Sequence, residues 1–290
     1  MKIYNLGSLN IDYVYRVEHF LQPGETCSAI DRNIFPGGKG LNQSVAAARA
    51  GAEVIHGAVV SREGDFLIQV LSESGVDVRR MQMVDQPAGH AIIQVDQTGQ
   101  NCILLFPGTN HCLSRVYVEE FLSDADAGDI LLLQNEVNCL DVAFEIAGQK
   151  GMQIALNPSP IGENLQKLPL KEVKWWFCNE IEAQELFGSG NPAEIKNVFL
   201  SQHPNANLIL TLGEQGSMFI SRDGVCQQPI YQVRAVDTTA AGDTYTGYFL
   251  SAVVAGKSIP EALQIAAKAS AVAVSRPGAA VSIPYAAELK

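Results

Sequence analysis

Short apolar runs alternate along the chain with stretches of helical periodicity. Strand-like runs lie at Lys2–Leu6, Val54–Val59, Ile130–Leu133, Gln153–Leu156, Trp175–Cys178 and Leu208–Leu212. Between them, Gly40–Ala50, Phe66–Ser74, Val116–Ser123 and Asp141–Lys150 read as helices. A parallel sheet is covered by helices on both faces, so its strands appear as continuous apolar runs. The alternation predicts an α/β fold with a mostly parallel central sheet flanked by helices.

Two segments break the alternation. Residues 12–35 hold few helical signals and many strand formers, and His90–Phe106 reads as two strands around a Thr-Gly turn. Together they predict a small separate β-sheet, either a lid over a site or an ornamental pair of hairpins. The C-terminal third is the most apolar. Tyr245, Tyr248, Phe249, Ala252 and Val253 share one helix face, Gly247, Ser251 and Ala255 form a small-residue row, and Gly256 supplies a stop. The next helix, Ile259–Val274, is rich in Ala and Val and predicted to be buried on most sides.

Composition narrows the class. A chain of 290 residues, 47% hydrophobic and 18% charged, suits one large α/β domain or a domain with a small appendage. The net charge of −11 argues against nucleic acid or an anionic membrane as partner, but allows a small anion bound locally. The six cysteines form no CxxC pair and no cluster with His, so neither a disulfide framework nor a zinc site is expected. The N-terminus resembles a first strand rather than a signal peptide, and no apolar run approaches the roughly 18 residues of a membrane span. A soluble cytoplasmic protein is expected.

Three polar motifs stand out. In Val236–Gly247 (VDTTAAGDTYTG), Asp243 opens the apolar helix behind a run of small residues. The first N–H groups of a helix lack partners within it and, with the dipole, form an anion cup. Gly242, Ala241 and Ala240 leave room for a ligand to approach. An isolated Gly-Asp before a helix is most often a cap. Here Asp237, Thr238 and Thr239 crowd the same loop, which is more polar equipment than a cap needs. A carboxylate beside an anion cup suits phosphoryl transfer: the cup stabilises the moving group and the carboxylate accepts the attacking hydroxyl's proton. The second motif, Phe35–Gln43 (FPGGKGLNQ), also opens a helix and offers Gly38, Lys39 and Asn42 to a ligand, or is a tight turn with a solvated Lys. It lacks the spacing of a phosphate-binding GxxxxGK[ST] loop, and no GxGxxG follows the first strand. In the third, Asn10 and Asp12 alternate onto one face of an extended chain, where an amide and a carboxylate can grip a diol, or they form a polar strand edge or an ordinary turn.

Taken together, GSLNID, PGGKGLNQ, NEIE, TLGEQG, VDTTAAGDTYTG and SRPGAAVSIP resemble the ribokinase-like (PfkB) carbohydrate kinases, in the family's order and from Leu6 to Pro284. The resemblance implies a single kinase domain over residues 1–290, with a β-sheet lid from about residues 12–35 and 90–106 that often serves dimerisation. It implies ATP-dependent phosphorylation of a sugar hydroxymethyl group with Mg²⁺. Asp243 then looks like the catalytic base, and the N–H groups of Ala240, Ala241 and Gly242 like the anion hole. Asn10, Asp12, Gly38, Lys39, Asn42 and Glu136 look like the sugar site. Thr211, Gly213 and Gly216 look like the nucleotide loop, and Asn179 and Glu182 like an NxxE motif organising Mg²⁺ and phosphates. The family's monovalent cation, usually K⁺, corresponds to Asp237, Thr239, Ala273, Arg276, Gly278 and Ser282, several through backbone oxygen.

Gln43 within GGKGLNQ, and Asn10 before Asp12, resemble the ribokinase branch and imply D-ribose as substrate, giving ribose 5-phosphate. The chain departs from that branch at Asn135, which could add a polar contact near the sugar, at Phe106–Asn110, at Ser61–Asp65, and at Ala267 near the base of the nucleotide. Another pentose, a hexose or a nucleoside, pseudouridine-like ones included, stays open as substrate, with Phe106, Tyr13 or Tyr15 as a wall for a base. So does a non-catalytic sugar- or nucleotide-binding regulator on the same fold.

Overall fold

Alternation along each strand sorts its side chains onto the two faces of the sheet, and this sorting builds the fold. The computed structural model describes residues 1–289. In chain order the strands are β1 (Ile3–Leu6), β2 (Asn10–Arg16), β3 (Asp31–Gly37), β4 (Val54–Gly57), β5 (Val59–Ser61), β6 (Gln82–Val84), β7 (His90–Val95), β8 (Asn101–Phe106), β9 (Ile130–Gln134), β10 (Gln153–Asn157), β11 (Val173–Asn179), β12 (Asn207–Thr211), β13 (Ser217–Ser221) and β14 (Gly224–Gln228). The helices are α1 (Lys39–Arg49), α2 (Asp65–Glu73), α3 (Arg115–Phe121), α4 (Leu140–Lys150), α5 (Glu180–Phe187), α6 (Pro192–Gln202), α7 (Ala241–Val254) and α8 (Ile259–Val274).

The central sheet has eight strands in the order β14-β13-β12-β11-β10-β9-β1-β4. The six from β12 to β4 run parallel, and β13 and β14 add an antiparallel edge. Ile3, Ile130, Leu132, Phe177 and Ile209 bury one face against α1, α7 and α8, through Leu41, Val45, Tyr248, Phe249 and Leu263. Their chain neighbours Tyr4, Leu131, Trp176 and Leu210 bury the other face against α3, α4 and α6, through Phe121, Phe144 and Phe199. Each such side chain contributes about 1.5–3 kcal/mol by leaving water. Two cores on one sheet are the expected outcome of runs apolar at every position.

The expected strand Val54–Val59 is divided. β4 ends at Gly57, which packs against the Phe121 ring, and β5 leaves to pair with β6. A separate four-stranded sheet, in the order β3-β2-β7-β8, lies at the end of β1. Within 12–35 only the two ends are strands, and residues 17–30 form none. Among the described residues no helix is long and apolar enough to cross a membrane.

Chain direction decides where a ligand can sit. β1 lies between β4, the next strand of the central sheet in sequence, and β9, which is reached only after the second half of the small sheet and α3. Strand order reverses there, and such a switch point opens a crevice at the C-terminal strand ends. Ser8 follows β1, Glu136 follows β9, and Asn179 and Thr211 close β11 and β12, so all four reach this edge.

Candidate active site

The crevice is lined first by the start of α1. Gly38 has φ of 96°, a conformation that disfavours any side chain, and it turns β3 into the helix. The Glu136 carboxylate accepts from the Lys39 N–H (3.1 Å) and from the Ser8 hydroxyl, tying β9, α1 and the end of β1 together. Burial raises the Glu136 pKa, and Lys39 opposes that shift. Burial alone would lower the pKa of Lys39, but the carboxylates of Asp243, Glu136 and Glu182 outweigh it and hold the ammonium charged.

The second wall is the start of α7. Ala240 is left-handed, with φ of 60°, one of two non-glycine residues with positive φ among those described. A left-handed non-glycine residue costs roughly 1–2 kcal/mol, and such strain concentrates at functional turns. The turn leaves the N–H groups of Gly242 and Asp243 without a protein partner among the described residues, as an anion cup requires. The Ala241 N–H differs from the sequence-based expectation, since it donates to the Thr238 carbonyl at 3.2 Å. Asp243 is 9% exposed. Its carboxylate accepts from Asn42 Nδ2 (3.0 Å) and Gln43 Nε2 (2.9 Å), so two α1 side chains orient the carboxylate of α7. Asn42 Oδ1 is buried without a partner among the described residues, an acceptor left for a ligand's hydroxyl.

The third wall is β2. Asn10 Oδ1 accepts from Asn110 Nδ2 at 2.7 Å, while Asn110 Oδ1 accepts from the Leu9 N–H at 3.0 Å. Asn110 therefore fixes the Asn10 amide with its donor end unspent. Burial, and then the charge of Glu136, push the Asp12 carboxyl up to about 7. Asn135, by contrast, donates to the Pro160 carbonyl at 2.6 Å and so engages a neighbouring loop.

Two cavities open at the start of α7, both lined by Ala241 and Gly242. One of about 180 Å³ is lined by Lys39, Asn179, Glu182, Thr211, Gly242 and Asp243. The other, about 680 Å³, passes Gly213, Gly216 and Tyr231 to an apolar stretch of Val233, Ala267 and Val274. Asn179 and Glu182 form a capping box on α5: Asn179 Oδ1 accepts from the Glu182 N–H (2.8 Å), and Glu182 Oε2 from the Asn179 N–H (2.9 Å). The cap fixes both side chains at the cavity wall.

A profile of the pfkB family carbohydrate kinases matches residues 2–286. The chain belongs to the PfkB family of carbohydrate kinases. It is thus a phosphotransferase with an alcohol acceptor. The chain is 35% identical to a ribokinase of Haemophilus influenzae over 289 residues, covering 96% of this chain and 94% of that one. A deoxyribokinase of Salmonella typhi is 29% identical over 98% of this chain and 96% of its own. The structure of an Arabidopsis thaliana ribokinase complexed with ribose and ATP superposes with a TM-score of 0.87 at 28% identity, covering 99% of this chain and 97% of that one.

On this PfkB chain the residues singled out from sequence fall into three groups. Asn10, Asp12, Gly38, Lys39, Asn42, Glu136 and Asp243 gather where β1 and β9 end and α1 and α7 begin, and Asn179, Glu182, Thr211, Gly213, Gly216 and Gly242 line the adjoining cavities. The remaining set lies behind the cup. Asp237 Oδ1 accepts from the Thr239 N–H and hydroxyl, and Oδ2 from the Gly278 N–H at 2.9 Å. The Val236 and Asp237 N–H groups donate to the Val274 carbonyl at the end of α8. Ala273 belongs to that last turn, and Arg276 turns its guanidinium away to Glu288. The Ser282 hydroxyl donates to the Ala279 carbonyl. Asn110 and Gln134 were not anticipated. Neither belongs to a dense polar motif, and the side-chain partners of each lie about a hundred residues away in the chain.

Proposed function

We propose that the chain is an ATP-dependent kinase of D-ribose, making ribose 5-phosphate. The observation that carries this reading is Asp243: a buried carboxylate, held by Asn42 and Gln43, between the α7 anion cup and the polar cluster of β2 and α1. The ribose 5-hydroxyl meets Asp243, which accepts its proton as the oxygen attacks the γ-phosphorus. The new O–P bond forms as the bond to the bridging β,γ-oxygen breaks, and ADP leaves. N–H groups at the start of α7, with Lys39, stabilise the charge on the phosphoryl oxygens.

Asp12, Asn10, Asn42, Gly38, Lys39 and Glu136 form the sugar site, and Asp12 is the diol acceptor. Asn10 favours ribose over deoxyribose, because its free amide end is satisfied by a 2-hydroxyl and would lose about 1–3 kcal/mol without one. A nucleoside is disfavoured by strand alternation. Tyr13, His90 and Phe106 share a face of the small sheet, with ring centroids 5.9 and 5.0 Å apart in sequence, and Asp12 projects from the other face. The small sheet acts as a lid, and a second copy of the chain covers its apolar strand β8.

Glu182 and Asn179 fit Mg²⁺, as a carboxylate and an amide at the phosphate cavity, and the ion neutralises phosphate charge when bound. The Asp237 loop fits K⁺. The Val236 and Asp237 N–H groups meet the Val274 carbonyl at the C-terminal end of α8, where the helix dipole is negative, and the Asp237 carboxylate accepts from the Gly278 N–H just beyond it. Ala273, Arg276, Gly278 and Ser282 would add oxygens beside Asp237 and Thr239.

ATP consumption across D-ribose, 2-deoxyribose, other pentoses, hexoses and nucleosides tests the reading. Ribose is expected to be the best acceptor. Asp243→Asn is expected to lower kcat by about 10²–10⁴-fold with ATP binding and fold retained. Near-normal turnover in that variant would remove Asp243 as base, and binding of sugar and ATP without turnover by the parent would favour a regulator.

A further inference from the structure

A continuous line of buried side chains runs away from Asp243 into the sheet. Gln43 Nε2 donates to Asp243 Oδ1 at 2.9 Å. Gln43 Oε1 accepts from Gln134 Nε2 at 2.7 Å, and the same nitrogen donates to Asn5 Oδ1 at 3.1 Å. Asn5 Nδ2 donates to the Gly40 carbonyl (2.9 Å) and to Ser44 Oγ (2.8 Å). Ser44 Oγ lies 2.7 Å from His56 Nδ1, and His56 Nε2 lies 3.2 Å from the Gly7 carbonyl. Asn5, Gln43, Ser44, His56 and Gln134 are fully buried.

The direction of every bond in this line is determined. A backbone carbonyl only accepts, so Gly40 fixes which end of the Asn5 amide points toward it, and Gly7 fixes the His56 proton on Nε2. His56 Nδ1 must then accept from the Ser44 hydroxyl, which itself accepts from Asn5. Burial holds the His56 pKa down at about 4, so the ring stays neutral at working pH. Asn5 Oδ1 requires a donor, and Gln134 turns its nitrogen there. That nitrogen also meets Gln43 Oε1, which leaves the Gln43 N–H for Asp243. The reversed Gln43 amide would set an oxygen against the carboxylate.

Gln134 makes these two bonds while its Oε1 stays buried with no partner among the described residues. An amide kept only for packing has no reason to carry an unpaired buried oxygen.

We infer that Gln43 and Gln134 are positioning residues: Gln134, locked through Asn5 to the Gly40 carbonyl, selects the one Gln43 orientation that aims Asp243 at the attacking hydroxyl. The inference rests on Asp243 acting as the base, so it is tested only against a parent enzyme that phosphorylates its sugar and an Asp243→Asn variant that does not. Failure of either control strikes the proposed function instead.

Gln43→Glu keeps the shape and makes the donor titratable. Protonated, the new side chain still donates to Asp243. Ionised, it repels it. The expected result is an alkaline limb in kcat that the parent lacks, with KM for sugar and ATP within about threefold of the parent. Gln134→Met removes the lock without adding charge and is expected to lower kcat by at least about tenfold at similar KM. A folded Gln43→Glu enzyme with the parent's pH profile overturns the inference, as does a Gln134→Met enzyme with the parent's kcat. If Gln43→Glu fails to fold, Gln43→Met replaces it: lowered kcat at constant KM supports the inference, and full kcat overturns it.

Discussion

Asp12 holds a conflict between stability and binding. Burial and the charge of Glu136 raise its carboxyl from the ordinary 3.8 to about 7. Between those values the folded chain keeps a proton that the unfolded chain has lost, so Asp12 weakens folding as pH rises through that window. Above about pH 7 the carboxylate is ionised in both states and the penalty is complete. Asp12→Asn is therefore expected to raise Tm by a few degrees at about pH 8, with the gain gone by about pH 4. On the proposed function the same substitution also removes a charged acceptor for sugar hydroxyls, and it is then expected to raise the sugar KM by about 10–100-fold. Melting curves at the two pH values decide it: an equal gain at both would mean that ionisation is not the cause. Residues of this kind were legible where chemistry is packed into one short stretch. Asp243 behind Ala-Ala-Gly, and Lys39 within Gly-Gly-Lys-Gly, announce a site in the sequence alone. Asn110 and Gln134 do not. An amide's role depends on which atoms face it, and those atoms come from β1, β2 and α1, far away in the chain.

At the scale of elements, the crossing of α1 over α7 brings Asn42 and Gln43 to Asp243. The small-residue row of α7 permits that crossing, and Gly247 is its tightest point. A Cβ there would lie 2.5 Å from Ala46 Cβ, 2.6 Å from the Ala47 nitrogen and 2.8 Å from the Gln43 carbonyl oxygen. Two of these are backbone atoms of α1 and cannot swing aside. Gly247→Ala is expected to cost about 1–3 kcal/mol by overpacking, although Ala alone would favour the helix by about 1 kcal/mol. It should also lower kcat, because separating the helices loosens both hydrogen bonds to Asp243. Denaturant unfolding checks the first effect and turnover the second, and a stabilised, fully active variant would show that the helices can part without consequence. The row itself was readable from its spacing, as was most of the strand and helix alternation. α5 and α6 were not, because each buries only two apolar side chains, Ala183 and Phe187 in one, Ile195 and Phe199 in the other. The β13–β14 hairpin carries an Asp-Gly turn signal at Asp223-Gly224, but its polar second strand obscured the pairing.

At the scale of the whole molecule, the small sheet presents a surface that a lone chain has little reason to keep. β8 is an outer strand whose Ile103, Leu104, Leu105 and Phe106 are 52%, 66%, 50% and 46% exposed. Successive residues point to opposite faces, so both faces of this edge are apolar, and a free edge of that kind invites pairing. Register divides the faces. Leu105 stands opposite Ala91, which stands opposite Asp12, whereas Leu104 lines up with Ile92 and Tyr13. Leu104 is therefore on the face away from Asp12, where a substitution spares the sugar cluster. If a second copy covers the lid, the parent sediments as a dimer and Leu104→Lys as a monomer. If the small sheet closes over the sugar as proposed, the monomer's sheet loses its support, so the sugar KM should rise while Asp243 and the α7 cup keep kcat within about threefold. Sedimentation and steady-state kinetics at one protein concentration decide it. A monomeric parent with full activity would assign the apolar edge to some other partner and leave closure over the sugar to each chain alone.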